Sequence, residues 1–253
     1  MKYIASVSGG KDSIATVILA HINNEPLDEI IFSEVMFDEN ISGELPEHID
    51  FIKNKCFPIF ESWGYKTKIL HSNETYLSCF YKINQGKKCP KRKGKYYGFP
   101  MSGKCIINCA VKIKPIKEYL KRQNEQFVQY IGIAIDEPIR LERMKNKGNI
   151  SLLEKYGYTE QMAYDLCEEY GLLSPAYSFT NRGGCWFCPN ARMPELRHLR
   201  KNHPNLWNKL LELEEVPNTI GYQWNMLNKT SIHDIEESIQ FEEAQMTIFD
   251  FID

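Results

Sequence analysis

Six consecutive residues, Ser8-Gly9-Gly10-Lys11-Asp12-Ser13, carry the most specific chemistry in this sequence. Small residues in succession let main-chain N–H groups turn inward around an anion, and a helix beginning near Asp12 adds unpaired amides and the positive end of its dipole. A pyrophosphate or a sulfate suits such a loop. The spacing is not Gly-x-x-x-x-Gly-Lys-Ser/Thr, so the loop is not of Walker A type. The cysteines are the second concentration of chemistry. Cys105-x-x-x-Cys109 and Cys185-x-x-Cys188 form two spaced pairs, and four thiolates suit a [4Fe–4S] cluster or a tetrahedral zinc, with unligated thiols the third reading. Cys89, followed by Pro90, is an alternative ligand, whereas Cys56, Cys79 and Cys167 read as small buried hydrophobes.

The elements that position these residues follow from apolar periodicity. Tyr3 to Val7 is a short apolar run ending in Ser-Gly-Gly, and Ile14, Val17, Ile18 and His21 then recur at helical spacing. Strands are predicted within 28–38, 66–71 and 127–135, and helices over 45–63, with Gly64 as C-cap, and 111–123. Strands alternating with helices predict an α/β fold with a doubly wound, mostly parallel sheet whose ligand sits at the carboxyl ends of the strands. Beyond 135 the pattern turns helical. The organisation expected is a nucleotide-binding domain over 1–145, a helical extension bearing Cys185-x-x-Cys188 over 146–233, and an acidic, partly extended tail over 234–253.

Composition bounds the function classes. With 43% apolar and 25% charged residues and a net charge of -2, the chain has the balance of a soluble globular protein and no global basic field. No signal-peptide pattern or long apolar run is present, so a cytoplasmic location without membrane contact is expected. In that reducing setting eight cysteines point to metal binding or sulfur chemistry rather than disulfides.

The loop at 8–13 resembles the SGGKDS motif of the PP-loop superfamily, which comprises the N-type ATP pyrophosphatases and the phosphoadenosine-phosphosulfate (PAPS) reductase-like proteins. The paired cysteines are similar to those of iron–sulfur members of the PAPS reductase-like family, although three residues separate Cys105 from Cys109 where that pair is often adjacent. The resemblance implies that Ser8, Gly9, Gly10 and Ser13 hold phosphate oxygens. Lys11 would compensate charge, and Asp12 would act through loop geometry or a Mg²⁺ water. Gly132-Ile133-Ala134-Ile135-Asp136-Glu137-Pro138-Ile139-Arg140 looks like the family's second substrate motif, which adds Gly132 and Arg140 to the nucleotide site and Asp136 to the catalytic set. A solvated loop with a Glu137–Arg140 or Glu137–Arg143 salt bridge is the plain alternative. Ala134 stands where the motif usually has arginine, which argues for ATP over PAPS.

Family reductases carry a catalytic cysteine near the C-terminus, and no cysteine follows Cys188 here. The resemblance therefore favours cleavage of ATP to AMP and pyrophosphate, activating an acceptor for sulfur transfer from a sulfur-donor protein. Sulfonucleotide reduction, or a non-catalytic nucleotide-binding subunit of a DNA-associated complex, are the alternatives. Two local features bear on partners. Lys87 to Lys95 is dense in Lys and Arg and runs into Tyr96 and Tyr97, which suits nucleic acid as well as it suits a solvated, mobile loop. Gln245-Met246-Thr247-Ile248-Phe249 resembles the short peptide by which bacterial DNA enzymes dock on the sliding clamp, an extended ligand with an aliphatic and an aromatic anchor.

Overall fold

A computed structural model of the chain describes residues 1–100, 105, 107–123, 125–145, 148–181 and 183–249. Its first half runs β1 (Lys2–Val7), α1 (Lys11–Ile22), β2 (Glu29–Ser33), α2 (Pro46–Asp50), a π-helical segment (Phe51–Cys56), α3 (Phe57–Ser62), β3 (Lys66–Leu70), α4 (Tyr76–Phe80) and β4 (Tyr96–Gly98). After a second π-helical segment (Asn108–Ile113) come α5 (Lys114–Lys121), β5 (Phe127–Ile131), α6 (Pro138–Lys145), α7 (Leu152–Lys155), α8 (Glu160–Glu169), α9 (Met193–Asn202), α10 (Pro204–Glu214), β6 (Thr219–Gly221) and α11 (Ile232–Phe249). The chain divides into two compact units, Met1–Asn73 with Ala110–Cys185, and Glu74–Cys109 with Trp186–Asp253.

In the first unit four parallel strands lie in the order β3-β2-β1-β5. Alternation along the strands sends Ala5, Val7, Ile30 and Phe32 into one core with α1, the 51–60 segment and α8, while Ile4, Ile31 and Leu70 pack with Leu120 and Ile116 of α5 in another. Helices thus cover both faces, as expected of a doubly wound sheet. Chain order runs outward from β1 through β2 to β3 and then jumps to β5 on the other side of β1. The carboxyl ends of β1 and β5 therefore flank the topological switch point, where open α/β sheets bind ligands. The loop at 8–13 follows β1, and Gly132 directly follows β5.

The second unit draws the 74–109 segment together with the C-terminal helices, so the compact units do not follow the linear division at 145 and 233. Aromatic packing accounts for this: the Tyr76 ring stacks on Phe187 at 3.9 Å, and Phe80 meets Phe99 edge-on at 5.4 Å. β4 pairs in parallel with β6, Tyr96 opposite Thr219 and Gly98 opposite Gly221. The acidic C-terminal stretch, expected to be partly extended, is the helix α11. Ile232, Ile235 and Ile239 are buried at helical spacing, and Arg200 binds Glu236 at 2.7 Å and Glu243 at 2.8 Å. Gln245 to Phe249 accordingly lies in a helix rather than in an extended peptide, and residues 250–253 lie outside the described residues. Among the described residues no helix is long and apolar enough to cross a membrane.

Candidate nucleotide site

The loop after β1 is held in one shape by bonds within itself and from elements of the same unit. Ser8 N–H donates to Ser13 Oγ at 3.1 Å, and that hydroxyl donates to the Gly10 carbonyl at 2.8 Å, tying the two ends of the loop together. Gly9 has φ +76°, a left-handed conformation that suits glycine. Gly10 is the N-cap of α1 and supplies no side-chain cap, while its carbonyl takes the Ser13 and Ile14 N–H groups at 3.0 Å. Tyr177 Oη takes the Lys11 N–H at 2.9 Å. Among the described residues the N–H groups of Gly9 and Gly10 have no acceptor. This is the chemistry of an anion cradle: fixed main-chain donors at a helix N-terminus, with the dipole adding to them.

Charge around the cradle comes from Lys11, whose Nζ bonds Asp12 Oδ1 at 2.9 Å and Glu160 Oε2 at 3.0 Å. Burial opposes the Lys11 charge, yet these two bonds outweigh it and raise the pKa above the usual lysine value. Asp12 shifts upward as well, chiefly because burial penalises its carboxylate, with the Lys11 bond opposing. The cradle therefore holds a firmly charged ammonium next to a carboxylate that is easier to neutralise.

His48 anchors the loop from beneath. It is fully buried, with Nε2 2.9 Å from the Ser8 carbonyl and Nδ1 2.8 Å from Ser174 Oγ. A carbonyl only accepts, so Nε2 carries the proton and Nδ1 accepts from the Ser174 hydroxyl. Burial, the largest influence, lowers the His48 pKa below its ordinary value and keeps the ring neutral. Cys167, buried in the core, donates its S–H to the Lys11 carbonyl at 3.2 Å, and burial pushes its thiol up to about 12. It is a structural thiol, as are the buried Cys56 and Cys79.

The segment after β5 closes on the same loop. A Cβ on Gly132 would lie 2.4 Å from the Asp12 carbonyl oxygen, so only glycine lets the β5 exit pack against the start of α1. Asp136, read as catalytic, accepts the Glu160 N–H at 3.2 and 3.3 Å, which fixes the start of α8 and with it the Glu160 carboxylate on Lys11. Arg140 is half exposed and paired with Glu137, the plain salt bridge weighed for this segment. Ala134, at the position of the missing arginine, is fully buried in the core. The structure brings the loop, Gly132 and Asp136 together as the sequence reading placed them, and adds His48, Tyr177 and Glu160, which that reading did not name. Those three lie 35 or more positions from the motif. His48 sits between Glu47 and Asp50 on a mixed helical stretch, so local pattern gave it no distinct signal.

The cysteines divide between the units. In the second unit the exposed Cys105 is pushed up chiefly by the partial burial of its thiol, opposed by the Asn108 and Ile107 amides, with the nearby Cys188 and Cys109 thiols adding less. In the first unit Cys185 forms an antiparallel bridge with Glu44. Lys112 stands beside both: Glu44, 3.6 Å away, is the main influence raising its pKa, and Cys185 adds to it. All eight cysteines are free thiols.

Fold and site together define an α/β chain with a glycine-rich loop leading into the N-terminus of α1 at the sheet's switch point. No family model matches the chain, and no curated protein does. Among solved structures it is similar to the U34-tRNA thiolase NcsA from Methanococcus maripaludis with its [4Fe-4S] cluster, at 18% identity over 85% of this chain and 72% of that one, with a TM-score of 0.40.

Proposed function

We propose that this chain is an ATP-binding enzyme of the PP-loop type, related to the PAPS reductase-like proteins. It cleaves ATP to AMP and pyrophosphate to activate a nucleic-acid acceptor for sulfur transfer. The observation that carries the reading is the preorganised loop at 8–13, with the Gly9 and Gly10 amides without an acceptor among the described residues, the α1 N-terminus and the charged Lys11 at the switch point. An acceptor oxygen attacks the α-phosphorus, the bond to the β-phosphate breaks, and pyrophosphate leaves into the cradle, where Lys11 and the loop amides balance its charge. Asp12 would hold a Mg²⁺ through one of its waters, and that ion would balance the remaining phosphate charge. A sulfur nucleophile delivered by a donor protein then displaces AMP. The buried Ala134 removes a cation that a second anionic group would need, and this supports ATP over a sulfonucleotide. Pyrophosphate release from ATP, with no sulfite from PAPS or adenylyl sulfate, is the expected result. Sulfite production, or tight nucleotide binding without turnover, contradicts it.

Cys105, Cys109, Cys185 and Cys188 are the ligand set proposed for a [4Fe–4S] cluster. Soft thiolate donors fit iron–sulfur or zinc, and the nearness of Cys109 and Cys188 to Cys105 within one unit fits clustered ligands. When bound, the cluster would supply a soft, redox-active centre for handling sulfur. Anaerobically purified protein is expected to be brown, with about four irons per chain. Colourless protein carrying one zinc would favour the tetrahedral zinc site instead.

A further inference from the structure

We propose that a basic recess of the second unit holds one unpaired nucleotide of a single-stranded nucleic acid, its base against Tyr97 and Ile83 and its phosphates among Lys87, Lys88 and Arg92. This rests on the reading above that the acceptor is a nucleic acid, and it gives that acceptor a place on the chain. The recess has a volume of about 530 Å³, within the range of pockets that enclose a small ligand. It is built rather than loose. Asn84 N–H donates to the Lys95 carbonyl at 2.8 Å, Gly94 N–H to the Asn84 carbonyl at 3.0 Å, and Tyr97 N–H to the Lys82 carbonyl at 3.0 Å, so the 82–97 segment closes on itself. The solvated, mobile loop weighed for these residues is replaced by a hydrogen-bonded hairpin with a 3₁₀ turn at Pro90–Arg92.

Its lining combines two chemistries that a nucleotide satisfies together. Ile83, 51% exposed, and the half-buried Tyr97 offer an apolar and aromatic surface to a flat base. Lys82 is paired with Glu74 at 3.5 Å, but among the described residues Lys87, Lys88 and Arg92 have no carboxylate partner. Three uncompensated cations around one recess repel each other, and a polyanion relieves that repulsion. The chain's net charge of -2 makes this concentration local. An inorganic anion would answer the cations but leave Ile83 and Tyr97 uncovered, whereas a base attached to its phosphates answers both.

The test is fluorescence anisotropy of the full chain with a short labelled oligouridylate, the matching oligodeoxyuridylate and a duplex. Tyr97→Ala should weaken single-strand binding about tenfold, the size of one lost base–aromatic stack, while Tyr97→Phe binds as wild type. The triple substitution Lys87→Ala, Lys88→Ala, Arg92→Ala should reduce the slope of log K against log salt by about 2, at about 0.7 per phosphate contact on a single strand. Binding of either single strand with these dependences supports the recess, and the tighter of the two identifies the sugar. Duplex bound as tightly as single strands overturns it, as does wild-type affinity and salt slope in both Tyr97→Ala and the triple variant. Far-UV circular dichroism confirms that each variant is folded. ATP cleavage without recess-dependent binding refutes the recess and leaves the ATP reading standing. Recess-dependent binding without AMP formation does the reverse.

Discussion

Gly132→Ala is expected to lower the affinity for ATP·Mg²⁺ by about 100-fold while leaving the chain folded, since overpacking costs about 1–3 kcal/mol and each 1.4 kcal/mol is tenfold in affinity. The added Cβ would stand 2.4 Å from the Asp12 carbonyl oxygen and 2.7 Å from the Ser13 nitrogen. Both are main-chain atoms at the start of α1, and no side chain can rotate away to make room. The loop or the β5 exit must shift, and the inward amides then lose their common focus. Calorimetric titration with ATP·Mg²⁺ reads the effect directly. Wild-type affinity in a folded Gly132→Ala protein would mean that the nucleotide does not use this loop.

His48→Leu is expected to destabilise the first unit by about 2–6 kcal/mol, because it leaves the Ser8 carbonyl and the buried Ser174 hydroxyl without their partner at about 1–3 kcal/mol each. Urea unfolding measures the loss. A pH series separates this from a simple packing defect. Burial depresses the His48 pKa in the folded chain. Above about pH 6.5 the ring is neutral in both states and its contribution is fully present. Below that value the unfolded chain takes up a proton that the folded chain refuses, so stability falls with acid by up to about 1.4 kcal/mol per pH unit until the folded pKa is reached. Wild type should lose stability between pH 6.5 and its folded pKa more steeply than His48→Leu does. Parallel curves would show that His48 is not held neutral beneath the loop.

The contrast between these two residues shows what was legible in the sequence. Gly132 stands in a recognisable strand-to-loop motif, and local pattern was enough to group it with the 8–13 loop, on whose backbone it packs. His48 joins the loop across forty positions of chain, through a helix whose other residues are plainly structural. Such a contact exists only once the β1 and β2 crossovers stack, so periodicity does not reveal it. The same limit explains α11. Its acidic residues suggested a solvated tail, but Arg200 and the Trp207 indole, 2.6 Å from Glu236, turn those carboxylates into a packed face. The Lys87–Lys95 segment differs again. Its composition announced charge correctly, but the recess depends on the closing bonds from Asn84 and Tyr97, which composition does not encode. Division into units was the least legible feature, because it is set by pairing of the 74–109 aromatics with Phe187 and not by order along the chain.

The central claim is that the loop at 8–13 directs cleavage of ATP at the α-phosphorus. Its most direct measurement is the fate of ATP labelled in the α-phosphate, incubated with the anaerobically purified chain, Mg²⁺ and single-stranded RNA and then separated by thin-layer chromatography. Label is expected in AMP and in adenylated RNA, with pyrophosphate as the other product and no ADP. Label appearing in ADP, or remaining wholly in ATP, would contradict it.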